Sequence, residues 1–395
     1  MADSKNIVCV SNTTWEGFYT KSTVQLMSLL AKSNRVLFVE YPFTIKDLIS
    51  TILGKARAPV ARMLGFKPRV HKKISTFNTE VFQLIVPPMF PFAAFGPGLS
   101  NFFLKLNAAI YARSVKWAMK KLGMNEPMVV NAYNAIYGNH LLGKFNEKLH
   151  VFYCYDGPDV RRYGVRAEQA DQKLAQNADG LIVTSDFLAD SMRHLSADVS
   201  VVKNGVDFKL FNAEAKSSPR KTSKKKVGYI GSIDHRFDFE TVEYSIQKLP
   251  DYEFEFVGDQ MNKEVAEKLA NYPNVTFYPP VKAHEVPALL RNCDVGLIPY
   301  LCTEYTKNIY PLKINEYLSV GVPVVLTSFA SLPDFEGIVS FAKNKQAFFQ
   351  AIIDEVQNDD EAKIAKRIEF AENTSWENRA LLFEQTLENY LKNKN

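Results

Sequence analysis

Cysteine is scarce in this 395-residue chain, limited to Cys9, Cys154, Cys293 and Cys302. None forms a CxxC pair or stands at metal-ligand spacing from a histidine. That excludes a locally encoded zinc or dithiol motif and fits a reducing compartment. His71, His140, His150, His194, His235 and His284 make no HxxxH or HExxH pattern, so no metal is expected. Long apolar runs are absent too: none reaches the roughly eighteen residues that span a bilayer, which leaves only peripheral membrane contact. The N-terminus, MADSKNIVCV, passes from a polar tip directly into a short apolar strand. It lacks the basic region and long apolar core of a signal peptide, so a cytoplasmic location is expected. The sequon triplets at Asn12, Asn274 and Asn373 are then read as chance. Basic residues are dispersed with no aromatic RNP-like strand among them, and no nucleic-acid partner is expected.

The composition that remains is globular, 46% hydrophobic and 23% charged. The length exceeds the soft prior of about 150 residues per domain, so two cores are expected. A net charge of +5 is open to three readings: an anionic ligand, an anionic membrane surface, or a surplus of solvated lysines. Short Val-, Ile- and aromatic-rich runs recur at Ile7 to Val10, Val36 to Glu40, Val81 to Val86, Met128 to Asn131, Val151 to Tyr155 and Leu181 to Thr184. They read as strands buried on both faces. Segments of helical period lie between them, for example Thr20 to Lys32 and Asn101 to Lys121. After Val201 to Asp207, the stretch FKLFNAEAKSSPRKTSKKK loses both periods and reads as a linker. The rhythm restarts at Lys226 to Ile230, Glu253 to Val257, Val275 to Tyr278, Val295 to Pro299 and Val322 to Thr327. The expected fold class is α/β, two doubly wound domains facing a cleft. Expected bounds are 1–205 for the first domain, 206–226 for the linker and 227–372 for the second domain. A closing helix, 373–395, could pack back on the first domain.

The segment with the most chemistry is YPLKINEYLSVGVPVV, Tyr310 to Val325. Pro311 suits a first helical position, since its fixed φ is helical and its missing N–H would be unpaired there. Ile314, Tyr317 and Leu318 share one face, while Gly321 and Pro323 end the helix before a buried strand. The helix opens with free N–H groups at its positive dipole end, and Lys313 adds a charge in the first turn: an anion site suited to a diphosphate. Glu316 lies one turn after Leu312, off the apolar face, where its carboxylate can accept from a vicinal diol. Taken alone, Lys313 and Glu316 read equally well as a surface pair.

This stretch resembles the PxKxxEYLxxGxPVV segment of GT-B glycosyltransferases of the family 4 type (glycosyl transferases group 1). The matching residues are Pro311, Lys313, Glu316, Tyr317, Leu318, Gly321, Pro323, Val324 and Val325. The resemblance implies that Glu316 binds the nucleotide ribose. It extends to VVKNGVDFKLF, similar to the family's interdomain link, and to KVGYIGSID, similar to the first strand and glycine loop of its donor domain. There Gly231 and Ser232 would bring backbone N–H groups to phosphate. VGD, Val257 to Asp259, and the run from Val275 to Tyr300 match the next strands, which implies that backbone around Val281 and Lys282 grips the base. Donor-side candidates are therefore Gly231, Ser232, Arg236, Val281, Lys282, Pro311, Leu312, Lys313 and Glu316. Two departures stand out. Asn308 replaces the acid that many members carry eight positions before Glu316, and Arg236 is the only cation in the donor loop. With Asp238, that loop looks closer to a teichuronic-acid-type branch of the family.

In the first half, SNTTWEGFYTKS, Ser11 to Ser22, follows the first strand as the corresponding family loop does. Trp15, Gly17 and Lys21 become acceptor-side or phosphate-contact candidates, Trp15 being equally readable as a packing residue. Asp156, at the end of VFYCYDGPD, is a candidate general base or a structural cap. PPMFPFAAFGPGLSNFF, Pro87 to Phe103, preceded by Lys67, Arg69, Lys72 and Lys73, reads either as a peripheral membrane surface or as a core-packed loop. The expected function is sugar transfer from a UDP- or GDP-type donor to a glycan or lipid-linked acceptor in cell-surface polysaccharide synthesis. The nucleotide sugar is the co-substrate, no cofactor or metal is required, and retention of configuration is favoured over inversion. The alternatives are a nucleotide-sugar 2-epimerase, which would need grouped carboxylates and histidines, and a non-catalytic sugar-nucleotide-binding paralogue.

Overall fold

The computed structural model describes residues 4–17, 21–158, 160–196 and 198–394. Residues 18–20, inside the loop read after the first strand, and Asp159, which closes VFYCYDGPD, lie outside them. The described chain divides into two compact units. One comprises the residues up to Gly17, Lys21–Lys203 and those from Ala380 on; the other comprises Asn204–Arg379.

The first unit holds a sheet of eight strands: β1 (Asn6–Ser11), β2 (Arg35–Val39), β3 (Val70–Ile74), β4 (Glu80–Leu84), β5 (Met128–Ala132), β6 (Leu149–Cys154), β7 (Gly180–Val183) and β8 (Val199–Val201). Their order is β3-β4-β2-β1-β5-β6-β7-β8, parallel except where β3 runs against β4. Strands β5, β6 and β7 are buried at every position, which is why they read in the sequence as unbroken apolar runs. The chain order turns back at β1, which pairs with both β2 and β5. The last helix, Trp376–Lys394, contributes its later residues to this unit. The Tyr390 ring fills the space a side chain on Gly180 would occupy, its hydroxyl donates to Leu181 O at 2.9 Å, and Phe383 meets Tyr153 edge-on with 5.2 Å between ring centroids.

The second unit is a six-stranded, all-parallel sheet: β9 (Lys225–Ile230), β10 (Tyr252–Val257), β11 (Val275–Tyr278), β12 (Val295–Ile298), β13 (Val324–Thr327) and β14 (Ser340–Ala342). The order β11-β10-β9-β12-β13-β14 reverses direction between β9 and β12. Ligands of such sheets bind in the crevice beyond the carboxyl ends of the strands at this switch point.

The stretch 206–226, expected to be a structureless linker, lies within the second unit. Phe208–Asn212 is a helix capped by Asp207, which accepts from Leu210 N at 3.2 Å. Phe211 is buried in the core with Tyr310 and Leu318, and Lys216 is buried with its ammonium donating to Cys293 O. A single helical turn anchored by one aromatic is too short to leave a period in the sequence.

Candidate active site

The switch point of the second sheet is held open by a tyrosine. Strands β9 and β12 pair only at Val227–Val295 and Gly228–Gly296; beyond that, the Tyr317 ring fills the space a side chain on Gly296 would take. Its hydroxyl accepts from Ile230 N at 3.1 Å and donates to Gly228 O at 3.1 Å. The buried tyrosine thus replaces ladder hydrogen bonds and wedges the strands apart, keeping both backbone groups satisfied.

Beside this wedge lies a cavity of about 240 Å³. It is lined by Gly231 and Ser232 after β9, Gly258 after β10, Val281 after β11, and Leu312, Lys313 and Glu316 from the helix Leu312–Ser319. Arg236 lines it as well. All donor-side candidates meet here except Lys282 and Pro311. Lys282 is exposed, and its backbone N–H already donates to Glu285 Oε2 at 2.8 Å. Pro311 is one position earlier than expected: with ψ of 121° it is the N-cap, and the helix begins at Leu312. The sequence reading missed the apolar wall of Phe211, Ile230, Pro280 and Val286, which carries no polar motif.

The glycines here are dictated by close approach. A Cβ on Gly231 would lie 2.6 Å from Lys313 Nζ, so the lysine can cross the glycine loop only because no side chain is present. A Cβ on Gly258 would collide with Gly231 O. Lys313 thereby stands in the first turn of an eight-residue helix, over the glycine loop, where the Gly231 N–H expected to meet phosphate instead donates to Val257 O at 2.8 Å. Burial pushes the Glu316 carboxyl above the ordinary carboxylate range, with the Lys313 charge opposing.

Arg236 differs from the expectation of a free donor-loop cation. Its guanidinium bonds Asp234 through Nε at 3.0 Å and Nη2 at 2.6 Å and lies 5.2 Å from the Tyr300 ring centroid. Burial raises the Asp234 carboxyl, but the Arg236 hydrogen bonds outweigh this and hold it below its usual range. Much of the arginine's charge is therefore already compensated within the loop. Asp238 caps the helix Phe239–Lys248, accepting from Thr241 N at 3.1 Å. Asn308, in place of the usual acid, bonds Glu304 O at 2.8 Å.

In the first unit, the loop after β1 is held by a residue that sequence reading missed. Glu40, buried just past β2, accepts from Trp15 N at 2.6 Å and from the Gln83 side-chain amide. Burial pushes its carboxyl up to about 7, against the pull of the Trp15 and Gln83 hydrogen bonds and the Lys21 charge. The Lys21 ammonium closes the same loop through Thr14 O at 2.5 Å and Glu16 O at 2.6 Å. Gly17 is exposed, and a Cβ there would come within 3.0 Å of that ammonium. Trp15 packs edge-on against Phe38 at 5.1 Å. Asn12, Thr13, Thr14 and Lys21 line a cavity of about 350 Å³ at the carboxyl ends of β1 and β2. Asp156 accepts from the N–H of the next residue, Gly157, at 2.9 Å.

The aromatic segment 87–103 is mostly packed. Phe90 stacks on Phe103 at 4.8 Å, the Asn107 amide pairs with both backbone groups of Phe90, and Phe92 is buried against Tyr137 and Tyr163. Phe95 and Phe102 remain outside.

Residues 224–358 match the family model of glycosyl transferases group 1. Over 174 residues the chain is 32% identical to a Bacillus subtilis (strain 168) protein that carries the name teichuronic acid biosynthesis glycosyltransferase TuaH. That match spans 42% of this chain and 44% of the relative, less than half of either. Among solved structures, sucrose-phosphate synthase from Thermosynechococcus elongatus superposes with a TM-score of 0.69 at 16% identity, covering 98% of each chain. A trehalose-6-phosphate synthase, studied for glycosyl transfer with retention, superposes with a TM-score of 0.67 at 12% identity, covering 98% of this chain and 99% of its own. At these identities the likeness is one of fold: the protein has the GT-B architecture of two Rossmann-like α/β domains.

Proposed function

We propose that this chain, whose residues 224–358 form a glycosyl transferases group 1 domain, transfers a sugar from a nucleotide-diphosphate donor to a glycan or lipid-linked acceptor in cell-surface polysaccharide synthesis. The observation that carries the proposal is the switch-point cavity of the second unit, in which the glycine loop, the opening of the helix Leu312–Ser319, Lys313 and Glu316 converge. A UDP- or GDP-type donor lays its diphosphate against Lys313 and the opening of the helix Leu312–Ser319. Its ribose diol reaches Glu316, and its base meets the apolar wall near Val281.

In the reaction the bond between the anomeric carbon and the diphosphate oxygen breaks and a bond to the acceptor hydroxyl oxygen forms. The hydroxyl proton leaves with the diphosphate. Negative charge grows on the leaving group, and Lys313 is the cation best able to stabilise it, Arg236 being committed to Asp234. Electrostatics of this kind calls for no metal. Retention of configuration is favoured, as in the trehalose-6-phosphate synthase of the same fold, and a retaining course needs no general base of the kind Asp156 would supply. The name of the Bacillus relative, which places it in teichuronic acid biosynthesis, supports a polysaccharide as the product.

The committed state of Arg236 and the Asn308 substitution favour one competitor, a sugar-nucleotide-binding paralogue without activity. Incubation with UDP- and GDP-sugars separates the readings, a 2-epimerase included: nucleotide release that requires acceptor supports transfer, isomerisation without acceptor supports epimerisation, and binding alone supports the paralogue. Glu316→Ala should weaken donor binding roughly tenfold to a hundredfold, the range for losing a charged hydrogen-bond partner. Unchanged donor affinity in that variant sinks the assignment of the cavity.

A further inference from the structure

We infer that residues 44–73 of the first unit form a docking surface for an anionic lipid bilayer. Between Thr44 and Lys73 the chain has eight Lys and Arg and one acid, Asp47, a net of +7 against +5 for the entire chain. Lys72 pairs with Glu80 at 2.8 Å and Lys73 with Glu16, which leaves Lys46, Lys55, Arg57, Arg62, Lys67 and Arg69 outside those two pairs. Asp47 is occupied in a capping box, accepting from Thr44 N at 2.7 Å and Thr44 Oγ1 at 2.8 Å.

The same segment shows apolar side chains outward. Ile52 is 70% exposed, Leu53 62% and Phe66 81%, with Ile49 and Leu64 also exposed. The helix Ile45–Ile52 has no buried residue at all. These side chains are not loose ends. Met63 is buried with Phe43 and Ile85, and Leu48 packs against them; Ala58 N donates to Thr51 Oγ1 at 3.0 Å, and Arg69 Nη2 to Met63 O at 3.2 Å. An ordered platform that exposes large apolar groups and, in the same segment, Lys46, Lys55, Arg57 and Lys67 matches a headgroup region in both hydrophobicity and charge. Among the described residues no helix is long and apolar enough to cross a membrane, so the contact is interfacial.

The platform also borders the cavity at the carboxyl ends of β1 and β2, whose lining includes Ala56, Arg57 and Ala58. Docked this way, the first unit offers that cavity to a molecule anchored in the bilayer. Docking stands independently of the transferase reading; the assignment of the acceptor as lipid-linked rests on it.

The test is flotation of the full chain, without donor or acceptor, on vesicles of phosphatidylcholine alone or with phosphatidylglycerol. Binding is expected only with the anionic lipid and should fall steeply with salt. Lys46→Glu/Lys55→Glu/Lys67→Glu should lower partitioning by about a hundredfold or more, and Ile52→Ser/Phe66→Ser by at least about tenfold. Phe95→Ser/Phe102→Ser, in the aromatic segment, should leave it unchanged. A Phe66→Trp variant gives a second readout, a blue shift and quenching by brominated lipid. Three results overturn the inference: no binding at low salt, equal binding to neutral vesicles, or loss only in the Phe95/Phe102 variant. A concentration-dependent dimer that Ile52→Ser/Phe66→Ser dissociates, with no flotation, also overturns it and makes the surface a self-interface. Failure of flotation with sugar transfer intact would remove the docking and leave the transferase reading standing.

Discussion

Replacing Glu40 with Gln should change how the stability of the first unit responds to pH. The Glu40 carboxyl is pushed up to about 7 from an ordinary 4.5, first by burial. A raised pKa means that the folded state binds the proton more tightly than the unfolded one. The resulting stability is fully present below about pH 4.5 and is lost as pH rises through about 7. At about 1.36 kcal/mol per pKa unit, the loss across that window is on the order of 3 kcal/mol. Gln at position 40 keeps an oxygen to accept from Trp15 N but has no proton to lose. The difference in stability between variant and parent should therefore move by about 3 kcal/mol in the variant's favour between pH 4 and pH 8. Hydrogen exchange of peptides covering β2, followed through urea at each pH, isolates the first unit from the second, and all other titrating groups cancel in the comparison. A difference that stays constant across the window would refute the reasoning: the carboxyl would then be ionised at ordinary pH, held by Lys21, rather than kept neutral by burial.

Glu147 should behave in the opposite sense. Burial raises its carboxyl, but the His150 side chain and the Phe145 and Gly143 N–H groups outweigh this and hold it at about 2. Its stabilisation is thus present above about 4.5 and lost as pH falls toward 2, and Glu147→Gln should cost on the order of 3 kcal/mol at pH 7 and progressively less in acid, measured by the same exchange method on β6. Tyr317→Phe should destabilise the second unit by roughly 2–4 kcal/mol, since it leaves Ile230 N and Gly228 O both buried without a partner, and peptides covering β9 should exchange faster. If β9 protection is unaltered, the strands close on each other and Tyr317 is not the wedge.

Which parts of this architecture the sequence declared follows from how each part is buried. Strands β1, β2, β5, β6 and β7 are covered on both faces, so their apolar runs carry the signal whole. Strand β3, VHKKI, buries only Val70 and then alternates half-buried and exposed positions at the sheet edge, and its charges read as a basic patch instead. Strands β8 and β14 have three residues each, below any period. Leu312, Lys313 and Glu316 were legible because they share one contiguous segment whose spacing a helix converts into proximity, whereas Gly231, Ser232 and Val281 were legible only through the family resemblance. Glu40 was not, because a lone acid ending a strand has no spacing to read. Only the fold brings Trp15 N, Gln83 and Lys21 around it, and the one clue in the sequence is a carboxylate directly after four buried apolar residues, VLFV.

The two cavities at strand ends are built by different means, and the difference bears on what each can bind. In the second unit the walls approach through absent side chains: Gly231 admits Lys313, Gly258 admits the backbone of Gly231, and Gly296 admits Tyr317. Backbone close to a charged lysine over a helix opening favours a rigid, multiply charged group such as a diphosphate. In the first unit the loop after β1 is instead tied by side chains, Glu40 from beneath and Lys21 across it. Those ties hold Lys21 to the loop itself, while the cavity beside it offers the neutral groups of Asn12, Thr13 and Thr14 together with the Arg57 guanidinium. Neutral donors and acceptors suit sugar hydroxyls, and the arginine suits an anionic group. Lys21 both lines this cavity and bonds Thr14 O and Glu16 O, and Lys21→Met should disturb acceptor use while leaving donor affinity in the second unit untouched.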